Sequence, residues 1–546
     1  MIKLKRSVIL KRIRNITLVF FMTLILAFMA SCKEDDGSGH IFKMNIENNP
    51  KNLDAQMATD SESIMIITNM MEGLVKKQSS GAIVTAAAES FEMSEDGLTY
   101  TFYLKKNQKW DTLADFTDEV TADDFVFAFE RIFDKDTNSP YRNDYLCIKN
   151  GSAVTNDIMS ANHLGVKAID EYTVEFTLDY PYYDFLNLLT KTAAMPCNRD
   201  FFEFTKGKYG MSAEATASNG AFYLKEWNYD PYWDNNYIIM RRNKNYSENK
   251  YVYPYSLNFF ITGDDTNDST IFSEGDIDCY VADEYNKKIF EQSNYSAYQT
   301  KTVGLLFNLN AEYVSNYEIR EALVKTLNRD AYIHELPENL FTAYGIIPGG
   351  VTIQGKSYRD LSPDKLLSLY DANAPSLWQN VLEKNGIVSV DNLKITVPDS
   401  FEGCDLIYNI TDQWRENLLL MSSVEVVSET EYEAKLAENN FSIALIEISA
   451  ENNSVTDFLD YFNNGEYSDA YKNISLASNI KLVSTATNLS DAVGKYSDIE
   501  KEILNQFVFV PLFYENEYFV TDTSASDIVY HPFVSSVDFS EAKYYD

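Results

Sequence analysis

The sequence contains very little histidine and cysteine, with four histidines and five cysteines in 546 residues. The histidines do not cluster, and Leu-Pro-Glu follows His334-Glu335, so that no HExxH zinc motif forms. The sequence also lacks a GxxxxGK[ST] phosphate-binding loop and a GxSxG nucleophile elbow. Each histidine is therefore interpreted as a surface or capping residue, and we expect no metal site, no cofactor and no catalytic centre.

Four cysteines, Cys147, Cys197, Cys279 and Cys404, lie far apart and form no CxxC pair. A disulfide is allowed in a protein outside the cytoplasm, but the sequence alone does not select a pairing. A chain of this length can bury enough apolar surface to fold without covalent cross-links. We therefore expect these cysteines to be mostly buried free thiols.

Basic residues are also scarce, because 46 Lys and Arg face 82 Asp and Glu, which gives a net charge of −36. A field of this sign repels nucleic acid and anionic lipid, so no nucleic-acid partner is expected. Apolar residues nevertheless make up 45% of the chain, with 38 Tyr and 33 Phe. This composition predicts large buried cores rather than a disordered acidic protein.

The apolar run at residues 16–30 follows six basic residues and precedes Ala30-Ser31-Cys32. A spanning helix needs about 20 apolar residues, whereas the apolar region of a signal peptide needs about 7–15. The order predicts a bacterial lipoprotein signal peptide at 1–31, lipid on Cys32 and a flexible tether at 32–40. The chain would then be anchored to the outer face of the cell membrane. An uncleaved membrane anchor is the alternative, since Met29 departs from the usual Leu.

Beyond the tether, strand and helix patterns mix, which indicates an α/β chain with several sheets. Thr121 and Asp124 form a candidate capping box for a helix that runs to residue 133. Pro511 predicts that the strand carrying it lies at an edge or a crossover. The predicted strands are residues 99–104, 172–178, 222–227, 237–241, 303–309, 441–448 and 507–514, and residues 319–327 are predicted as a second helix.

A series of short motifs follows in a specific order along residues 42–546. The motifs are Asn52-Leu53-Asp54, Glu72-Gly73-Leu74, residues 96–102 (DGLTYTF), Lys109-Trp110, residues 120–126 (VTADDFV), Ser139-Pro140-Tyr141, residues 165–170 (GVKAID), residues 219–222 (NGAF), residues 275–278 (GDID), residues 320–323 (REAL), residues 328–330 (NRD) and residues 343–345 (AYG). This ordered series resembles solute-binding protein family 5, the oligopeptide- and dipeptide-binding lipoproteins of ABC importers.

The resemblance implies an α/β fold of the periplasmic-binding-protein-like type II, with two lobes, a hinge of two crossing strands and an inserted extra domain. Lobe I would comprise residues 41–70, 190–298 and 512–546. The inserted subdomain would comprise residues 71–189, and lobe II residues 299–511. The apolar runs at 303–309 and 507–514 fall where the hinge strands are expected.

The resemblance also implies a function, which is to hold an oligopeptide in the cleft between the lobes by main-chain hydrogen bonds. A monomer in the closed form would deliver the peptide to the permease subunits of an ABC importer, with no bond made or broken. A Gram-positive surface is favoured over a periplasm. Alternatives are a non-peptide ligand such as a nickel chelate, haem or a sugar, a surface peptide sensor without transport, and a secreted hydrolase.

The family's ligand-binding residues map onto a small set of positions. Glu451 takes the place of the aspartate that pairs with the peptide's amino group, next to Ser449, and Tyr141 matches a ligand-facing tyrosine. The other candidates are Thr59, Asp60, Ser61 and Trp414. Leu445 replaces an arginine that meets the peptide carboxylate, and Val303 or a neighbour replaces a disulfide cysteine. Each candidate also has an ordinary interpretation, as a solvated loop or turn for Glu451 and residues 59–61 and as core packing for Tyr141 and Trp414.

Overall fold

The computed structural model describes residues 39–78, 81–114, 116, 118–232, 235–263, 266–329, 336–362, 370–401, 403–450, 453–463, 474–483, 486 and 488–545. The predicted signal peptide, the lipid-bearing Cys32 and the tether up to residue 38 lie outside the described residues. His334 and the candidate ligand residue Glu451 also lie outside them.

Strands and helices are mixed along the described chain, as the sequence predicts for an α/β protein. The strands are β1 Ile41–Ile46, β2 Val75–Lys77, β3 Ile83–Thr85, β4 Ala88–Met93, β5 Thr99–Leu104, β6 Asp111–Thr112, β7 Val166–Asp170, β8 Thr173–Thr177, β9 Ala217–Ser218, β10 Phe222–Asn228, β11 Asn236–Arg242, β12 Ser256–Ile261, β13 Cys279–Ala282, β14 Asn294–Phe307, β15 Leu340–Thr342, β16 Thr352–Ile353, β17 Lys356–Ser357, β18 Lys394–Pro398, β19 Ser423–Val427, β20 Ile443–Ile448, β21 Phe509–Thr521, β22 Ala525–Ser526, β23 Val529–His531, β24 Ser536–Asp538 and β25 Lys543–Tyr544.

The α-helices range from one turn to almost five turns. They are α1 Ser61–Met70, α2 Ala122–Phe133, α3 Gly151–Thr155, α4 Phe185–Leu188, α5 Arg199–Phe204, α6 Asp268–Ser273, α7 Lys287–Phe290, α8 Tyr317–Lys325, α9 Tyr358–Leu361, α10 Ala374–Asn385, α11 Cys404–Leu418, α12 Glu429–Ala437, α13 Val455–Asp460, α14 Ile474–Val483 and α15 Leu489–Asn505.

Three larger sheets organise these elements. One has the strand order β1-β12-β11-β10, and a second has the order β4-β5-β8-β7. The third and largest has the order β13-β21-β14-β20-β18-β19, with β15 paired to β21. Its long central strands β14 and β21 run antiparallel and are hydrogen-bonded along most of their length. Parallel pairs occur between β1 and β12 and between β18 and its neighbours β19 and β20.

Two large hydrophobic cores contain most of the buried apolar side chains. The first core takes residues between Phe42 and Cys279 and then again between Phe519 and Ala542. The second core takes residues between Val303 and Phe513. The chain therefore leaves the first core once, builds the second, and returns along β21, which has residues in both.

Helix α2 shows how the sequence sets an element locally. Thr121 precedes the helix in extended conformation, and the Asp124 carboxylate accepts a hydrogen bond from the Thr121 N–H at 2.8 Å. Trp110 Nε1 also donates to Asp124 at 3.1 Å, which ties the start of the helix to the core. The helix ends at Phe133, so the predicted capping residue and the predicted end are confirmed.

Of the two positions that Pro511 predicts for its strand, an edge or a crossover, the structure does not show the edge, because β21 crosses between the two cores inside the largest sheet. β14 pairs with one side of β21, and β13 and β15 pair with the other, so β21 lies inside the sheet. Pro511 lies opposite Gly304, where the register of the β14–β21 pair shifts by a bulge. A bulge interrupts the ladder locally, and this is how a central strand tolerates a residue without an N–H.

Asp54, a residue of the first motif, forms a buried ion pair with Arg131 of helix α2 in the first core. The Arg131 guanidinium donates to both carboxylate oxygens of Asp54 and to Gln56 Oε1 at 2.6 Å. Arg131 is 5% exposed. The Asp54 carboxylate balances the charge of the guanidinium and accepts two hydrogen bonds from it. This pair joins the loop before α1 to helix α2. Of the cysteines, Cys147, Cys197 and Cys279 are buried free thiols and Cys404 is a partly exposed one.

Candidate functional site

Helix α1 carries the first wall of the candidate site. The Asp60 side chain accepts from the Ser63 N–H at 3.0 Å and so caps the helix, while Met65, Ile66 and Ile67 are buried in the first core. At the other end, Asn69 Nδ2 donates to the Val537 carbonyl at 2.6 Å. The helix is thereby fixed to the C-terminal segment, which forms the facing wall.

A cavity of about 690 Å³ opens between these walls. This volume lies within the roughly 300–1,000 Å³ that small-ligand sites usually enclose. Its lining comes from the start and end of α1, strand β2, residues 140–144, residues 187–195, residues 220–221 with Tyr246, Asn453, and the C-terminal residues 531–540. Segments from both ends of the chain therefore meet at one opening.

Glu72 is one of the acidic groups at this cavity and is 7% exposed. Tyr246 donates its hydroxyl hydrogen to Glu72 Oε1 at 2.6 Å, while Glu72 Oε2 has no partner among the described residues. Burial raises the pKa of Glu72 above its ordinary value. The backbone of Glu72 exchanges two hydrogen bonds with the Asn219 side chain, both at 2.9 Å.

Gly220, which follows Asn219, leaves room for the contact between Asn219 and the backbone of Glu72. A methyl group at Gly220 would lie 2.9 Å from the carbonyl carbon of Met70 and 2.9 Å from the nitrogen of Met71. The chain at the end of α1 can therefore approach residue 220 only because residue 220 lacks a side chain. The motifs at residues 72–74 and 219–222 therefore pack against each other in the wall of the cavity.

Tyr141 stands at the cavity wall near the N-terminus of α1. Its hydroxyl donates to the Ala58 carbonyl, and Ser139 Oγ donates to the Gln56 carbonyl at 2.7 Å. These two bonds hold residues 139–141 against the loop that leads to Thr59 and Ser61. The loop and the tyrosine ring together present a fixed edge to the cavity.

Residues next to the second core reach the same cavity. Asn187 Nδ2 donates to the Asn453 carbonyl at 3.1 Å, and the Thr352 N–H donates to Asn453 Oδ1 at 2.6 Å. The rings of Phe458 and Phe533 meet edge-to-face at 6.3 Å between centroids. Asn453 therefore links a cavity segment of the first core to loops of the second core.

The structure brings together three of the predicted site residues. Thr59, Ser61 and Tyr141 line the cavity. Asp60 lies between the first two, and its side chain is used as the helix cap. Ser449 directly follows β20 and is not among the lining residues. Glu451 lies outside the described residues, but Asn453, two positions later, lines the cavity.

Trp414 lies elsewhere. It is fully buried in the second core, and its Nε1 donates to the Leu323 carbonyl at 2.9 Å. The structure thus places it in core packing, the alternative that the sequence left open, and does not place it at the cavity. Leu445, the replacement for the carboxylate-binding arginine, is also buried, opposite Leu305 in the β14–β20 pair.

Several lining residues were not singled out from the sequence, and their signals were weak. Glu72 belongs to the Glu72-Gly73-Leu74 motif, and Lys76 and Lys77 lie just after it, beyond Val75, yet these residues were assigned no role. His531, interpreted as a surface or capping residue, lines the cavity, and burial lowers its pKa to about 4. Phe533 and Asp538 lie in a C-terminal segment to which the sequence analysis assigned no element or role.

The described part of the chain holds no helix long and apolar enough to span a bilayer. Within the same residues, His, Cys, Asp and Glu side chains do not gather in groups of three or more that could hold a metal ion.

Comparisons with known proteins agree on one family. The model for "Bacterial extracellular solute-binding proteins, family 5 Middle" matches residues 82–469. The dipeptide-binding protein DppE of Bacillus subtilis (strain 168) is 24% identical over 513 residues, which cover 90% of this chain and 90% of DppE.

Two solved structures show how far the likeness in fold extends. A periplasmic oligopeptide-binding protein (OppAIV) from Borrelia burgdorferi aligns with a TM-score of 0.69 and 23% identity, over 93% of this chain and 100% of that chain. Listeria monocytogenes OppA bound to peptide aligns with a TM-score of 0.66 and 20% identity, over 94% and 100%. The shared fold thus spans nearly the whole chain.

Proposed function

Because the chain belongs to the bacterial extracellular solute-binding proteins of family 5, we propose that it captures oligopeptides in the cavity beside α1 and delivers them to an ABC importer. Its α/β fold is the two-lobed fold of periplasmic peptide-binding proteins, as the sequence predicted. Members of the family are substrate-binding proteins that work outside the cytoplasm, and the chain is not an enzyme.

The observation that carries the proposal is the position of the cavity between residues of two cores. α1, Tyr141 and the C-terminal segment belong to or pack against the first core, whereas Asn453 accepts a hydrogen bond from Thr352 in β16, next to Ile353 of the second core. A ligand that contacts both sides stabilises the closed arrangement over an open one. Thr59, Ser61 and Tyr141 are the residues we propose to contact the peptide, with Glu451 as partner of its amino group.

The proposed division into lobes uses the same two cores. Lobe I would take residues 41–70, 190–298 and 512–546, the inserted subdomain 71–189, and lobe II 299–511. The support is that the second core begins at Val303 and ends at Phe513, while β14 and β21 cross between the cores. Lipid on Cys32 would hold a monomer at the outer face of the membrane, next to the permease subunits.

Peptide capture is tested by recovering and then replacing the bound ligand. We expect mass spectrometry of the acid-denatured protein to detect co-purified peptides. After stripping and refolding, calorimetric titration with a mixed oligopeptide library should show saturable binding.

Two tyrosine variants provide the matched pair. Tyr141→Ala should weaken binding at least about tenfold, because it removes a wall of the cavity. Tyr232→Ala changes a side chain that is 92% exposed and should leave the affinity unchanged. Flat titrations with every peptide, or saturable binding of a non-peptide ligand alone, would refute peptide capture.

A further inference from the structure

Three lysines line the cavity, and two of them are paired with carboxylates. Lys76 Nζ lies 2.9 Å from Glu541 Oε1, and Lys191 Nζ lies 2.8 Å from Asp144 Oδ2. Lys77, by contrast, makes no ion pair and no side-chain hydrogen bond with any residue that the structure describes. An ammonium group without a direct partner in a cavity wall is available to a ligand.

Lys77 ends strand β2, and β2 pairs with β3, so the position of its backbone is fixed by the ladder. Its side chain is partly exposed in the cavity wall. Desolvation at this position lowers its pKa to about 8. The cost of burying an ammonium falls when a counter-charge comes within hydrogen-bond distance. The surroundings of the Lys77 ammonium therefore favour the binding of an anion.

The charges that face Lys77 do not supply that partner. Asp184, just before α4, and Asp457, on α13, attract the ammonium without contacting it, while Lys191 repels it. Burial raises the pKa of Asp184 to about 6, and its carboxylate already accepts from Asn187 Nδ2 at 3.1 Å. Lys76 precedes Lys77 in β2, and His531 on β23 lies close enough to feel its charge.

In the family that the chain resembles, an arginine of the second core meets the peptide carboxylate, but this chain has no cation at that position. Leu445 occupies it with a buried apolar side chain. A peptide in the cavity carries a C-terminal carboxylate and, in some sequences, acidic side chains, which would otherwise meet Glu72, Asp144 and Asp538 at the same wall.

We propose that the Lys77 ammonium binds a carboxylate of the ligand and so makes the cavity selective for peptides that place a carboxylate beside β2. This inference rests on the proposed capture of peptides. The carboxylate has two possible sources, an acidic side chain or the C-terminus, and both offer the same two oxygen acceptors to the ammonium.

The experiment uses four synthetic peptide libraries that differ only in their carboxylates. Two libraries carry Gln and two carry Glu at the variable positions. Within each pair, one library has a free C-terminus and the other an amidated C-terminus. Each library is titrated calorimetrically into the stripped full-length protein, into Lys77→Met and into Lys208→Met, whose exposed lysine does not line the cavity.

For the unchanged protein we expect about 10- to 100-fold tighter binding of the libraries that carry the preferred carboxylate, which is the effect of one charge-assisted hydrogen bond. The comparison of side-chain with C-terminal carboxylates identifies the source. Lys77→Met should abolish this preference and leave binding of the neutral library in place, whereas Lys208→Met should retain the preference.

Proton uptake provides a second measurement that a merely structural role would not change. At pH 8 a ligand carboxylate should raise the pKa of Lys77, so that binding takes up a larger fraction of a proton in the unchanged protein than in Lys77→Met. Equal affinity for all four libraries, or a preference that survives in Lys77→Met, would overturn the role of Lys77 while peptide capture stands. Failure of every library to bind would overturn peptide capture itself.

Discussion

His531 lines the cavity, and its surroundings disfavour protonation of the imidazole. Burial is the main cause that lowers its pKa to about 4, and Lys77 and Lys76 lower it further, while Asp538 acts in the opposite direction. The imidazole is therefore neutral at neutral pH. The cavity thus keeps a hydrogen-bonding ring there without adding a third positive charge next to Lys76 and Lys77.

This shift predicts a pH-dependent loss of stability. Between pH 6.5 and about pH 4 the unfolded chain binds a proton at His531 that the folded protein does not bind, so stability falls as the pH falls through this window. His531→Gln removes this contribution. We expect the urea midpoint of the variant to decrease less than that of the unchanged protein between pH 7 and pH 4.5.

His163, an exposed histidine in the first half of the chain, provides the control. His163→Gln should follow the unchanged protein at every pH. If His531→Gln and the unchanged protein lost stability in parallel across the window, the neutral state of the His531 imidazole in the folded protein would be contradicted.

At the residue scale, the sequence indicated Thr59, Ser61 and Tyr141 as site residues but assigned no role to Glu72, Lys77 or His531, which also line the cavity. Thr59, Ser61 and Tyr141 are adjacent to recognisable motifs in the first third of the chain. Lys77 and His531 become neighbours only when the C-terminal segment folds back against β2 and α1. No local pattern reports such a contact, because burial of a polar side chain is decided by distant parts of the chain.

The element that joins the two cores is the antiparallel pair β14 and β21. At its bulge, Gly304 lies opposite Pro511, and a methyl group at Gly304 would lie 2.5 Å from the Val510 carbonyl oxygen and 2.6 Å from the Phe509 ring. Backbone and a buried ring cannot both yield to such a contact. Close approach of the two strands at this point therefore depends on glycine.

Gly304→Ala should consequently destabilise the protein by about 1–3 kcal/mol, the usual cost of overpacking a core. Gly494→Ala is the matched control, because Gly494 is exposed inside helix α15 and a methyl group there contacts nothing within 4 Å. This control should be neutral or stabilising by about 0.5–1 kcal/mol, since alanine favours the helix. Urea denaturation measures both, and equal effects of the two substitutions would contradict the close packing at the bulge.

Prediction of the elements succeeded where the local signal was strong. The Thr121–Asp124 capping box located helix α2, and the aromatic and β-branched residues at 99–104 located β5. Strand β14 was predicted only at 303–309, although it extends from Asn294 to Phe307. Its first residues are mostly exposed and polar or aromatic, so the apolar run that marks a buried strand is missing from that half.

For the whole molecule, two cores connected by two long strands provide a simple basis for motion. The chain crosses between the cores along β14 and β21, and the cavity lies where segments of both cores approach. Bending at the crossing strands would open the cavity without disrupting either core. The ordered motifs predicted the two-lobed fold, whereas the exact lobe boundaries depend on contacts that sequence patterns do not report.

The most direct test of capture between two lobes is small-angle X-ray scattering from the stripped protein, recorded with and without a saturating mixed oligopeptide library. Calorimetry on the same samples establishes that the peptides are bound. The account predicts that the radius of gyration decreases when peptide binds, and that Tyr232→Ala shows the same decrease. Saturated binding with an unchanged scattering curve would contradict closure around the ligand.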